Sequence, residues 1–117
     1  PLRRKKPMRR SRFKSKYRRR ERDVPHMKLV KKLACSARGL SAPSRCYGRV
    51  EADHVGPRGI GQKSDDKLVI PICRKHHGER TDFCGAFKSF DQGQMRAWIE
   101  QQLVATQAAV IEMRRFR

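Results

Sequence analysis

The sequence predicts a small α+β fold: two short strands and a helix form the core, further helices flank it, and a basic tail precedes it. Three observations carry that expectation. Apolar runs at residues 50–55 and 68–72 are separated by residues 56–66, rich in Gly, Pro, Ser and Asp, which is the pattern of strand, loop and strand. Directly after residue 72 the string CRKHHGERTD is polar and lacks alternation, as suits the first turns of a helix. Near the end of the chain, Met95, Trp98, Ile99, Gln102, Leu103, Thr106, Val110 and Met113 recur at three- and four-residue steps, a largely apolar helical stripe.

Composition bounds what such a core can be. With 117 residues of which 35% are charged, the chain has one domain's worth of sequence and little apolar material, so the core needs a staple. A formal charge of +19 points to a polyanionic partner, of which nucleic acid is the commonest. No run of about 18 apolar residues exists to span a bilayer. The first residues are basic with no apolar stretch behind them, unlike a secretory leader, so a cytoplasmic location in a bacterial host cell is expected. The expected organisation is a tail at 1–24, a core at 25–90 and a C-terminal helix at 91–117.

Residues 1–22 hold thirteen of the 30 Lys and Arg residues and a single acid, Glu21. Like charges at this density repel, and only Leu2, Met8, Phe13 and Tyr17 are there to bury, so the segment is expected to be disordered in isolation. On nucleic acid it would displace counterions, giving salt-dependent, sequence-tolerant affinity. The expected contacts to DNA, single- or double-stranded, are Arg3, Arg4, Lys5, Lys6, Arg9, Arg10, Arg12, Arg18, Arg19 and Arg20, joined from the loop by Arg58 and Lys63.

Asp23-Val-Pro25 marks a boundary, and a short helix is expected over residues 25–34. Its Lys28, Lys31 and Lys32 would face solvent or phosphate, with His26 as an exposed surface histidine. Four cysteines in such a chain read as metal ligands or buried thiols rather than disulfides. Cys35 and Cys46 flank a loop of ten residues, and Cys73 and His76 have the CxxH spacing that lets one helical turn offer two ligands. Together they make a tetrahedral set for a structural zinc, tying the segment before the hairpin to the start of its helix. Cys84, between Phe83 and Phe87, is expected to be a core thiol. Asp91 is a good N-cap for a helix over 92–115, whose length exceeds what a small core needs, so its far end is expected to dimerise or hang free, making a monomer or weak dimer.

Asp53-His54, a glycine-bearing loop, an acid at Asp66 and then Cys73-Arg74-Lys75-His76-His77 follow one another in this order. The arrangement resembles the ββα-metal core of the HNH endonucleases. It is nearest the small phage-encoded, RecA-dependent nucleases of Ref type, in which a PLCRxHH-like string occupies the place of residues 71–77. The resemblance covers about residues 35–82. It implies a zinc-stapled ββα-metal fold and metal-dependent hydrolysis of DNA phosphodiester bonds, associated with recombination and with a RecA filament as partner. It assigns His54 as the general base, a task an imidazole suits at neutral pH. Asp53 and His77 match the ligands of a catalytic Mg2+ or Mn2+, and the products would carry a 5′-phosphate and a 3′-hydroxyl.

Two departures from the family pattern are legible. The middle asparagine that orients the base histidine is absent, as this chain has no asparagine; Asp66 is the candidate for its place, with Asp65 and Lys67 beside it. The family's third metal ligand has no histidine here, leaving Glu79, Thr81, Asp82 or water. These absences support an alternative, a zinc-stabilised DNA-binding or recombination-accessory protein with little cleavage activity. Asp53 and His54, as strand neighbours, face opposite sides unless the strand ends there, whereas His76 and His77 differ by about 100° around a helix.

Overall fold

The computed structural model describes residues 20–40, 45–57 and 63–116. The tail up to residue 19, and with it Arg58 of the loop, lies outside them. The chain runs through α1 (Val24–Val30), a 3-10 turn (Ser36–Gly39), β1 (Val50–His54), β2 (Val69–Cys73), α2 (Arg74–Asp82), a second 3-10 turn (Gly85–Phe87) and α3 (Gln92–Arg115). Among the described residues this is a small α+β arrangement of one two-stranded sheet and three α-helices, as the periodicities predict.

The strands pair antiparallel from Val50 with Cys73 to His54 with Val69. Past that last pair the Val55 amide donates to the Leu68 carbonyl at 3.0 Å, and the strands then part. Gly56 stands at the parting point because a Cβ there would come within 2.5 Å of the Leu68 side chain. Pro71 is tolerated opposite Ala52 because each strand of a two-stranded sheet has a free edge.

All five residues of β2 are buried, which explains why VIPIC reads as a continuous apolar run rather than an alternation. Ile70 and Ile72 pack with Phe87, Met95 and Trp98, while Val69 joins Leu29, Val30 and Val110. Burying side chains such as Ile70, Ile72 and Phe87 is worth about 1.5–3 kcal/mol each. The Phe87 and Trp98 rings meet edge to face with centroids 5.0 Å apart.

α3 has the bounds its cap and periodicity predict. The Asp91 carboxylate accepts from the Gln94 amide at 2.7 Å, and the Gln94 side chain accepts from the Asp91 amide at 3.0 Å, a reciprocal capping box. Its stripe covers the hairpin through Met95 and Trp98. The far end does not hang free: Val110 and Met113 pack with Leu29, Val30 and Leu33 of the α1 region, and Arg114 reaches Asp23 at 3.1 Å.

That packing also corrects two expectations about α1. The helix ends at Val30 rather than near residue 34, since Lys32 and Leu33 bond back to Leu29 and Val30 in tightened turns that turn the chain toward Cys35. His26 is not a surface residue; it is only 5% exposed beside Val110 and Arg114, and burial pushes its pKa down. Among the described residues no helix is long and apolar enough to cross a membrane.

Candidate functional site

α2 is polar along almost its whole length, and of its nine residues only His76 is buried. A helix with so little apolar surface is not held by hydrophobic burial. It is held at its first turn, where the Cys73 sulfur accepts from the His76 amide at 3.4 Å as the N-cap. His76 Nδ1 there faces three sulfurs, 3.0 Å from Cys73 and 3.7 Å from each of Cys35 and Cys46. The four ligand atoms lie within 4.8 Å of one another, so Cys35, Cys46, Cys73 and His76 could bind a metal such as zinc. Tetrahedral zinc, with about 2.3 Å to sulfur and about 2.0 Å to nitrogen, sets sulfur and nitrogen roughly 3.6 Å apart, which the Cys35 and Cys46 distances match while Cys73 stands closer.

The setting is that of a closed site. Burial pushes the Cys35 thiol up to about 11, so a cation beside it is what would keep it a thiolate. Burial also raises Cys73, but its bonds from the His76 and Tyr47 backbone and from the neighbouring thiols outweigh that and hold it below the usual thiol range. On the far side of the imidazole, buried His76 Nε2 has no hydrogen-bond partner and the Glu79 carboxylate stands 3.9 Å away, just beyond hydrogen-bond reach. Gly85, at φ +54°, keeps that carboxylate's place, since a Cβ would meet it at 2.3 Å.

One residue on, His77 projects to a different side of α2 and meets β1. Its Nδ1 lies 2.8 Å from Glu51 Oε2 and its Nε2 3.2 Å from Asp53 Oδ1. Glu51 and Asp53, two apart on the strand, share a face, which lets both flank one ring. The bond to Asp53, against the opposing effect of burial and with help from Glu51, raises the His77 pKa to about 9. The other oxygen of Asp53 takes Arg80 Nε at 2.7 Å and Nη2 at 2.5 Å.

His54, the last residue of β1, belongs to a second network. Its Nε2 lies 2.9 Å from Asp66 Oδ1. A carboxylate only accepts, so Nε2 carries the proton and Nδ1 is left with the lone pair in the neutral ring. Asp66 is 1% exposed. Burial alone would raise its pKa, but His54, Arg20 and the Asp23 amide overcome this and hold it down to about 2. Of the three candidates for the orienting position, Asp66 reaches His54, Asp65 accepts from the Glu21 amide at 2.6 Å, and Lys67 pairs with Glu21 at 3.0 Å.

The structure thus gathers the four expected zinc ligands in one knot, Asp53 with His77 in one network, and His54 with Asp66 in another. Among the described residues no hydrogen bond or ion pair joins those two networks. Glu79 faces His76 rather than His77, and Thr81 donates to the His77 carbonyl. Cys84 corrects another expectation: it is exposed and outside the knot, because α2 ends at a left-handed Phe83 and it is Ala86 and Phe87 that enter the core. Of the expected DNA contacts, Lys63 is exposed, Arg20 is engaged by Asp66, and the others lie outside the described residues. Glu51 went unrecognised in the sequence, although its two-residue spacing from Asp53 marks it as sharing that face. The chain matches no family model, no curated protein and no solved structure.

Proposed function

We propose that this chain is a zinc-stapled, metal-dependent endonuclease of HNH type that hydrolyses DNA phosphodiester bonds. The observation that carries the reading is the 2.9 Å contact of His54 Nε2 with the buried Asp66 carboxylate, an acid in place of the absent asparagine. In this reading Asp66 fixes the tautomer, and His54 Nδ1 takes a proton from water as the water oxygen attacks phosphorus. The bond from phosphorus to the 3′ oxygen breaks, that oxygen gains a proton, and the other end keeps a 5′-phosphate.

Asp53 and His77 would hold the catalytic ion. Asp53 Oδ1 and His77 Nε2, 3.2 Å apart, would be its ligand atoms, and binding it would require the ring to give up the proton it shares with Asp53. Such an ion supplies positive charge to the scissile phosphate and the departing oxygen. Glu51, on His77 Nδ1, would orient the ligand ring as carboxylates behind metal-bound histidines do. The basic tail supplies sequence-tolerant grip on DNA.

The test is a cleavage assay on plasmid and single-stranded DNA with Mg2+ or Mn2+, run with and without a RecA filament, alongside a metal-content measurement. His54→Ala is expected to cleave at least ~100-fold more slowly while binding DNA as before. Equal nicking by the variant and the parent would remove the base assignment.

A second reading rests on Arg80. Its two contacts to Asp53, with two carboxylates on His77, balance the charges of that network without any ion. A zinc-stabilised DNA-binding or recombination-accessory protein would look the same. DNA binding without cleavage under every one of those conditions would select it.

A further inference from the structure

Residues 20–23, at the root of the basic tail, are clasped onto residues 65–67. The Glu21 amide donates to Asp65 at 2.6 Å, the Asp66 amide donates to the Glu21 carbonyl at 2.9 Å, and Lys67 pairs with Glu21 at 3.0 Å. At the centre lies the Asp66 carboxylate. Its Oδ1 takes both His54 Nε2 and Arg20 Nη2, the latter at 2.6 Å, and its Oδ2 takes the Asp23 amide at 2.8 Å. Arg20 had every reason in the sequence to be one more phosphate contact, being the last of three consecutive arginines. It is instead spent on a buried acid.

We propose that Arg20 is a positioning residue, which seats the Asp66 carboxylate against His54 so that the root of the basic tail completes the hydrolytic site. The inference rests on the reading of His54 as general base. Its physical content is that one oxygen shared by two donors has little freedom. The Asp23 amide alone would hold Oδ2 and leave the carboxylate able to rotate about that bond, whereas the guanidinium pins Oδ1 in the direction of the imidazole. The consequence is a division of labour within the run: the arginines before position 20 raise affinity for DNA, and Arg20 raises the rate once DNA is bound.

The experiment uses the full chain with Arg20→Ala, Arg20→Lys and, as a control that loosens the same clasp without touching the Asp66 carboxylate, Lys67→Ala. Single-turnover cleavage at saturating DNA, DNA affinity, and the 15N and proton resonances of the His54 ring are measured for each. The expected result for Arg20→Ala is a rate at least tenfold lower with affinity changed less than twofold, and loss of the slowly exchanging His54 Nε2 proton. Arg20→Lys is expected to recover most of the rate and to keep that proton, and Lys67→Ala to match the parent in both. Weakened affinity with an unchanged saturated rate would make Arg20 a phosphate contact and overturn the inference. So would equal losses in Arg20→Ala and Lys67→Ala, which would reduce the role to general stability. If the parent does not cleave, the nuclease reading fails by itself, and the His54 resonances still decide whether Arg20 positions the ring.

Discussion

His76 and His77 are consecutive residues in opposite circumstances. His76 is fully buried, with one nitrogen facing three sulfurs; His77 has a third of its side chain exposed and lies between two carboxylates. One 100° step around a helix separates a buried cluster of sulfur and nitrogen donors from a half-buried ring held by acids. The knot gathers soft donors in a buried place, as suits a resident metal, whereas on the other side the His77 ring is held by two carboxylates, one of which also takes Arg80. A polar helix of nine residues can face both ways because its one buried residue, His76, and its cap, Cys73, lie together at its first turn.

The comparison breaks most visibly if the knot is opened. Cys73→Ser removes both a ligand and the N-cap of α2, and it is expected to cost more than ~4 kcal/mol, with loss of helical signal in circular dichroism and of bound metal. A chelator should do the same to the parent. An unchanged thermal midpoint would show that the four donors hold no stabilising metal.

In the buried network of His54 and Asp66 the expected costs are smaller and depend on pH. The Asp66 carboxyl is held at about 2, below its ordinary 3.8, so its stabilisation is fully present above about pH 4 and is lost as pH falls through 2. Asp66→Asn is therefore expected to be about 2 kcal/mol less stable than the parent at neutral pH, the gap narrowing in acid. Urea midpoints measured from pH 7 down to pH 3 check both the size and the sign; a gap constant across that range would mean the carboxylate is not the source.

Glu79 tests whether the knot is supported from behind. If its carboxylate steadies His76 across the 3.9 Å gap, Glu79→Gln should weaken metal affinity about tenfold, read by competition with a chromophoric chelator, with little change at the Asp53 face. Cys84 supplies the smallest effect. Exposed and outside the knot, it is expected to tolerate serine within ~0.5 kcal/mol and with unaltered metal content. Loss of metal in that variant would mean the ligand set has been drawn wrongly.

The same contrast shows what could be read along the chain. The knot was legible because a CxxH spacing on a helix start is local chemistry, and two further thiols in a chain short of core had few other uses. α3 was legible from its cap and its stripe, down to both ends. His26 and Cys84 were misjudged because burial depends on which element packs over a residue: the last turns of α3 cover His26, and a left-handed turn at Phe83 carries Cys84 outward. Of the polar face, Asp53 and His77 were recognisable as residue types, but Glu51 and Arg80 join them only through the docking of α2 on β1.

What the sequence alone determined, then, is what local rules govern: the helical and extended periods, the capping box, the polar turn after β2 and the donor set of the knot. Tertiary structure decided the rest, because each remaining contact joins residues far apart in the chain. That His54 reaches Asp66 rather than Asp65 or Lys67 follows from where the two strands part at Gly56. That Arg20 serves a buried carboxylate rather than a phosphate follows from the clasp between the tail root and residues 65–67. A charge count treats every arginine in a run alike, and only the folded chain sets one of them apart.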